Sequence, residues 1–310
     1  MKKISIGIPV RNEFENIPYL VRSMEKVSND LEKIGFEVEL LVNNNASTDS
    51  SLELILEWTK SDNRVKAFDF ESQISYQNSI LELMRKSSGD AFVVYQSDMQ
   101  DPPELIVDFV QRWITTGGIV IGKITNRKEG FKSSFFVNLF YRILKIASDG
   151  RIYTQLQDFY LLPKEVYEQL SRLSPEGLFL RGHISSRFTN IHVIKYCRDA
   201  RVRGKSNFNF VDKYKLALDG ILLFGTRIIR IFTIGSLLVF FLGSISFLSV
   251  VALYLLGYKG SQTGWTSIIL LIILLISFSA VATSLILEYL IRIYRFLVFD
   301  KSKNIPKNIS

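Results

Sequence analysis

Cysteine is nearly absent: the 310-residue chain holds only Cys197, which excludes a disulfide framework and a cysteine zinc cluster and is compatible with a reducing compartment. Histidine is almost as scarce. His183 and His192 have no cysteine or second histidine at ligand spacing, so zinc is not indicated and both are read as structural. Charge is missing altogether from Phe232 to Leu256 and from Ile268 to Leu287. The opening stretch, Met1 to Pro9, is too short an apolar run for a secretory leader and passes straight into a strand pattern. No internal repeat is present. The net charge of +8 comes without a nucleic-acid recognition motif, and the basic residues gather near the apolar runs, which favours anionic lipid headgroups and anionic substrates over nucleic acid as partners.

Each uncharged run is long enough to cross a bilayer core of about 30 Å, which takes about 20 apolar residues. The spacing predicts a transmembrane hairpin. Its connecting segment, Gly257 to Ser267, carries only Lys259, whereas Arg227 and Arg230 precede the first run and Arg292, Arg295, Lys301, Lys303 and Lys307 follow the second. That asymmetry places both termini in the cytoplasm.

Upstream, β-branched runs at Ile4 to Val10 and Val38 to Val42 flank a helical pattern from Ile17 to Gly35. The alternation continues through Arg64 to Phe70, a helix from Ile74 to Ser87, Ala91 to Gln96, a helix from Pro103 to Thr115, and Ile119 to Gly122. Alternating strands and helices imply a mostly parallel sheet covered on both faces, with ligands at the carboxyl ends of its strands. Phe131 to Ala147 has apolar residues at three- and four-residue spacing, fitting either a membrane-lying helix or a core-facing one. Asp212 to Ile231 sets an apolar face against Lys213, Lys215, Arg227 and Arg230, as an interfacial helix would. The expected division is a cytoplasmic domain at 1–210, an interfacial helix at 211–231, the hairpin at 232–290 and a basic tail at 291–310.

Three segments sit where such a sheet binds ligands. The strand ending at Pro9 opens into Arg11-Asn12-Glu13, leaving free amides and a turn for a base. Asn44-Asn45-Ala46-Ser47-Thr48-Asp49 follows the second strand, with Ser47 or Thr48 available as a helix cap. Gln96-Ser97-Asp98-Met99-Gln100-Asp101 precedes Pro102-Pro103, which turn the chain into a helix. A carboxylate at Asp98 is able to hold Mg²⁺ or Mn²⁺ against a diphosphate, since phosphate oxygens and water supply the remaining ligands. Such a cation stabilises a departing diphosphate.

In order and spacing these segments resemble the signatures of inverting glycosyltransferase family 2, in the branch that glycosylates polyisoprenyl phosphates. The likeness continues in Gln157-Asp158-Phe159-Tyr160-Leu161, Arg181-Gly182, Arg201 to Phe208 and Glu288-Tyr289, covering nearly the whole chain. It implies an α/β nucleotide-diphospho-sugar (GT-A) fold. Pro9, Arg11, Glu13, Asn44, Gln96, Ser97, Asp98 and Gln100 would border the nucleotide sugar, and Asp98 would bind the metal. Asp158 and Arg181 would be catalytic, with Asp158 orienting or deprotonating the attacking oxygen. Arg201, Lys205 and Ser206 would meet the acceptor phosphate, with arginine gripping phosphate through a bidentate fork.

The chain also departs from the family pattern. The aspartate expected to meet the base is Asn44, and the first aspartate of the metal motif is Gln96. Ser72, Gln73, Ile74 and Ser75 replace the usual arginine, asparagine, phenylalanine and glycine, Gln157 replaces a glycine, and Lys205-Ser206-Asn207 stands for glutamate, serine and lysine. Two negative charges are therefore missing near the nucleotide, which weakens a cation site and points to an altered donor, to weak metal binding through Asp98 and the diphosphate, or to lost catalysis. The expected activity is inverting transfer of one sugar from a nucleotide sugar to polyprenyl phosphate on the cytoplasmic membrane face. The product would be flipped by a separate flippase and used by a downstream transferase, and a homo-oligomer stays open. The alternatives are another membrane-lipid acceptor, or a silent member acting as a scaffold.

Overall fold

The structure is a computed structural model that describes residues 1–125, 158–175, 178–198, 226–257 and 263–299. In β1 (Lys2–Val10) every residue from Ile4 onward is buried, as is every residue from Val38 onward in β2 (Phe36–Asn45). Strands buried on both sides belong inside a sheet with both faces covered. Between them α1 (Ile17–Lys33) buries Ile17, Leu20, Met24, Val27 and Leu31, a single stripe at helical spacing, and Pro18 sits in its first turn. The chain continues through α2 (Ser51–Ser61), β3 (Val65–Phe70), α3 (Tyr76–Lys86), β4 (Ala91–Val94), α4 (Leu105–Thr116), β5 (Ile119–Ile124), β6 (Tyr160–Pro163), α5 (Lys164–Ser171), α6 (Leu180–Arg187) and β7 (Ile191–Tyr196).

The sheet order is β3-β2-β1-β4-β6-β5-β7. Neighbours are parallel except at β6, which runs antiparallel to both β4 and β5. Alternate residues feed two cores. Ile4, Ile6 and Ile8 pack with Leu20, Met24, Trp58, Phe109 and Trp113 on one face, while Phe92, Val94 and Tyr160 pack with Ile80, Leu83, Tyr167 and Ile184 on the other. The second face is narrow at β1: a Cβ on Gly7 would lie 2.4 Å from the Phe92 ring, so only glycine lets that buried ring cross the strand. The mostly parallel, doubly covered sheet expected from the alternation is thus present. Its strand β4 stops at Val94, short of Gln96, and Asp158 lies just before β6 rather than in a strand.

α7 (Thr226–Leu255) and α8 (Thr263–Phe299) contain apolar stretches of 25 and 23 residues, Ile231–Leu255 and Ile268–Leu290, each long enough to cross a membrane. They pack against each other through small and hydroxyl-bearing residues. Ser236 Oγ lies 3.4 Å from Ser284 Oγ, Gly243 faces Ile273 and Ser277, and Leu242 and Ile276 point outward, 56% and 64% exposed. Polar inside and apolar outside is the reverse of a soluble helix pair and suits a lipid surround. Residues 226–231 of the expected interfacial helix run directly into α7. The remainder of that helix, the 131–147 amphipathic segment and residues 300–310 lie outside the described residues.

Candidate active site

The loops leaving β1, β2 and β4 each hold a non-glycine residue in the left-handed region: Asn12 at φ 51°, Ala46 at φ 49° and Met99 at φ 55°. Such conformations persist only where surrounding bonds enforce them. Here the enforcement is visible. Ser47 Oγ accepts the Asn12 amide at 3.0 Å, Asn12 Oδ1 accepts the Thr48 amide at 2.8 Å, Ser51 Oγ accepts the Glu13 amide at 2.9 Å, and Asp49 Oδ2 accepts the Phe14 amide at 3.3 Å. Ser47 and Thr48 are therefore not helix caps, as the sequence led us to expect. α2 begins at Ser51, whose amide is taken by Asp49 Oδ1 at 3.1 Å, because the Ser47 hydroxyl is already spent on the neighbouring loop. Asn45 clamps the loop before α3 in the same way, through Ile74 N and O, both at 2.9 Å.

These loops line one rim. Pro9 pairs with Asn43 and Val10 with Asn44, and Ser97 Oγ donates to the Pro9 carbonyl at 3.0 Å, which joins the exits of β1 and β4. Asn44 is buried beneath the rim and gives its Nδ2 to Asp69 Oδ1 at 2.7 Å. Glu13 is also buried, its carboxylate accepting from Asn16 Nδ2 at the start of α1. Of the residues that the family resemblance assigns to the nucleotide sugar, Arg11, Gln96, Asp98 and Gln100 are partly exposed at the rim.

The reversal of β6 brings Asp158 to the same edge. Val94 pairs with Tyr160, so the residues entering β6 stand beside those leaving β4. Asp158, 3% exposed, receives Arg181 Nε on Oδ1 at 2.7 Å and Arg181 Nη2 on Oδ2, a bidentate grip. α6 holds the arginine there, and its first amide, Leu180 N, is accepted by the buried Gln77 Oε1 at 3.0 Å. The Tyr76 hydroxyl is shielded from solvent and makes no hydrogen bond among the described residues. Its pKa is pushed up by burial and then by the charges of Asp158, Tyr160 and Asp98, against the opposing pull of Arg181.

Arg198 was not anticipated. It follows β7, whose parallel pairing with β5 carries its carboxyl end to this rim. Nη2 lies 3.0 Å from Gln96 Oε1 and 3.4 Å from Asp98 Oδ2, and Nε lies 3.1 Å from Asp101 Oδ1. Asp101 is 2% exposed and also accepts the Tyr196 hydroxyl at 2.6 Å. Burial opposes the arginine's charge, yet Asp101 and Asp98 leave its pKa above the ordinary value. Asp98 Oδ1 meanwhile accepts the Gln100 amide at 3.2 Å. Both oxygens of Asp98 are thus engaged, Gln96 is neutral, and Asp101 is tied down. These side chains do not fit a divalent-cation site, and no set of three acidic, histidine or cysteine side chains suited to a metal occurs among the described residues.

His183 is fully buried, which pulls its pKa down to about 3, and His192 meets Asn190 Oδ1 at 2.8 Å. Cys197 is exposed just beyond β7. Arg201, Lys205, Ser206 and Gln157 lie outside the described residues.

A sequence profile described as Glycosyl transferase family 2 matches residues 5–170. The uncharacterized glycosyltransferase YkcC of Bacillus subtilis is 31% identical, with the alignment covering 97% of this chain and 91% of that protein. The bactoprenol glucosyl transferase of Shigella phage SfV is 30% identical over 99% of this chain and 97% of its own length. Among solved structures, glucosyl-3-phosphoglycerate synthase from Mycobacterium tuberculosis bound to UDP shares the fold, with a TM-score of 0.51 and 17% identity over 73% of this chain and 80% of that one. The same enzyme with Mn²⁺, UDP and phosphoglyceric acid gives a TM-score of 0.50 and 18% identity over 71% and 76%.

Proposed function

Because this chain belongs to glycosyltransferase family 2, we propose that it moves one sugar from a nucleotide sugar to polyprenyl phosphate, inverting the anomeric centre, at the cytoplasmic face of a membrane. The observation that carries this reading is the convergence of Asp98 from β4 and the Asp158–Arg181 pair from β6 and α6 on one rim of a chain that also holds two membrane-length apolar helices. Near-full-length relatives named bactoprenol glucosyl transferase support the acceptor class.

In this scheme the nucleotide lies over the β1, β2 and β4 exits, near Pro9, Arg11, Asn44, Gln96, Ser97 and Gln100. An acceptor phosphate oxygen forms a bond to the anomeric carbon as the carbon–oxygen bond to the diphosphate breaks, and the electron pair leaves with the nucleoside diphosphate. A lipid phosphate is largely ionised at neutral pH, with a second pKa of about 6, so little proton removal is required. Asp158, fixed by Arg181, then serves mainly to orient the reacting groups. The Mg²⁺ or Mn²⁺ expected at Asp98 does not suit the side chains as they stand, and no step runs through it.

In this reading residues 1–210 are the catalytic part, the apolar stretches of α7 and α8 are the anchor, with residues 226–231 already in α7 and 291–299 still in α8, and Arg201, Lys205 and Ser206 receive the acceptor phosphate. A separate flippase and a downstream transferase use the product. The test is incubation of the purified full chain with radiolabelled nucleotide sugars and short-chain polyprenyl phosphate. One donor should deliver label to the organic phase, and a broad panel delivering none would overturn the proposal.

A further inference from the structure

Asp98 is the residue that the family resemblance reserves for a cation, and in the turn it shares with Gln96 and Asp101 a cation is already there. The Arg198 guanidinium spans all three, at 3.0 Å from Gln96 Oε1, 3.4 Å from Asp98 Oδ2 and 3.1 Å from Asp101 Oδ1. The arrangement is built rather than incidental. Tyr196, two residues earlier, donates to Asp101 at 2.6 Å, the Tyr95 hydroxyl donates to the Asp101 carbonyl at 2.8 Å, and Asp101 is almost fully buried. A solvated surface arginine would have none of this support.

We propose that Arg198 supplies from within the chain the positive charge that neutralises the donor diphosphate, so that nucleotide binding proceeds without a divalent cation. The inference rests on the nucleotide-sugar reading of the site.

Charge and geometry argue for it together. A metal site here wants acidic ligands, but Gln96 contributes none and its carboxamide oxygen turns to the guanidinium instead. A dication placed at Asp98 would stand against Arg198 and meet mutual repulsion. Arg198 gives Nη2 to Gln96 and Asp98 and holds Nε beside Asp101 as an ion pair, while Nη1 makes no hydrogen bond within the described residues, and the side chain remains 23% exposed. A planar guanidinium with a spare donor suits diphosphate oxygens, and unlike a metal it needs no loading. With Gln96 rather than a carboxylate at this position the affinity for metal is lower, and the carboxamide oxygen accepts from the guanidinium.

The full-length protein in detergent is titrated with adenosine, cytidine, guanosine, thymidine and uridine diphosphates, each in EDTA and in excess Mg²⁺. The wild-type chain should bind its preferred nucleotide with Kd values that differ less than threefold between the two conditions. Arg198→Gln should bind at least tenfold more weakly in EDTA and recover with Mg²⁺, because Asp98 is released to hold the ion. A role confined to packing would not create that Mg²⁺ dependence. Arg198→Gln also strips a buried carboxylate of its partner, so Asp98→Asn provides a second route. Freed from one carboxylate, Arg198 should then bind the diphosphate in EDTA at least threefold more tightly. Wild-type binding that requires Mg²⁺, Arg198→Gln binding unchanged in EDTA, or weaker binding by Asp98→Asn would each overturn the proposal. Absence of binding to every nucleotide in both conditions is a different result: it defeats the nucleotide-sugar reading itself, and this inference with it.

Discussion

Arg181 holds Asp158 by two parallel contacts, Nε to Oδ1 at 2.7 Å and Nη2 to Oδ2, from a helix whose first amide is itself pinned by Gln77. A carboxylate gripped on both oxygens has one orientation. Asp158→Asn, which cannot accept both contacts, should lower kcat/KM at least about 10²-fold, and Arg181→Lys, which keeps the charge but loses the fork, about tenfold. Steady-state transfer assays with thermal melts alongside check this. Equal activity in Asp158→Asn would remove the residue from the mechanism.

Backbone strain at the rim gives a second expectation. Ala46 sits at φ 49°, a conformation costing about 1–2 kcal/mol for an L-residue, whereas glycine adopts it freely at an entropic cost of about 0.5–1 kcal/mol. Ala46→Gly should therefore raise the melting temperature by about 1–3 °C. A lower melting temperature would show that the Ala46 methyl contributes packing that outweighs the strain.

The third concerns pH. Glu39 is buried at the opposite end of the sheet, accepting from Ser5 Oγ at 2.5 Å, Ser88 N at 2.7 Å, Ser88 Oγ at 2.9 Å and Lys66 Nζ at 3.0 Å. Burial would raise its pKa, but the hydrogen bonds from Ser5, Ser88 and Lys66 outweigh it and bring the group from 4.5 down to about 2. A depressed carboxylate stabilises the fold fully above its unfolded value and loses that contribution as pH falls through its folded value. Here the loss falls between pH 4.5 and about 2, on the order of 3 kcal/mol. Unfolding midpoints measured across that window should drop less steeply for Glu39→Gln, which should also be less stable at pH 7. Parallel acid limbs for the two proteins would contradict this.

The sequence made much of this structure readable, for physical reasons that also mark where it fell silent. β-branched runs located β1 and β2, which are buried on both faces, and period-3.6 patterns located α1 and α4, each of which buries a single stripe. Uncharged runs located α7 and α8 because a helix long and apolar enough to cross a membrane leaves that mark in the sequence itself. Asp98 and Asp158 were visible as residues in recognisable motifs. Arg198 was not, since it lies 102 positions from Gln96 and only the parallel pairing of β5 with β7 brings the two together. The antiparallel course of β6 was equally hidden: it is four residues long, and its direction is set by neighbours rather than by composition. Ser47 misled because a hydroxyl near a helix start resembles a cap, whereas its partner belongs to the loop across the rim.

Sugar transfer to a lipid phosphate is tested most directly by the mass of its product. Liposomes carrying the purified protein and polyprenyl phosphate, supplied with the nucleotide sugar it prefers, should accumulate polyprenyl phosphate heavier by one sugar residue, released again by mild acid, and Asp158→Asn liposomes should not. A sugar found on a glycerolipid instead, or unmodified polyprenyl phosphate under every donor, would contradict it.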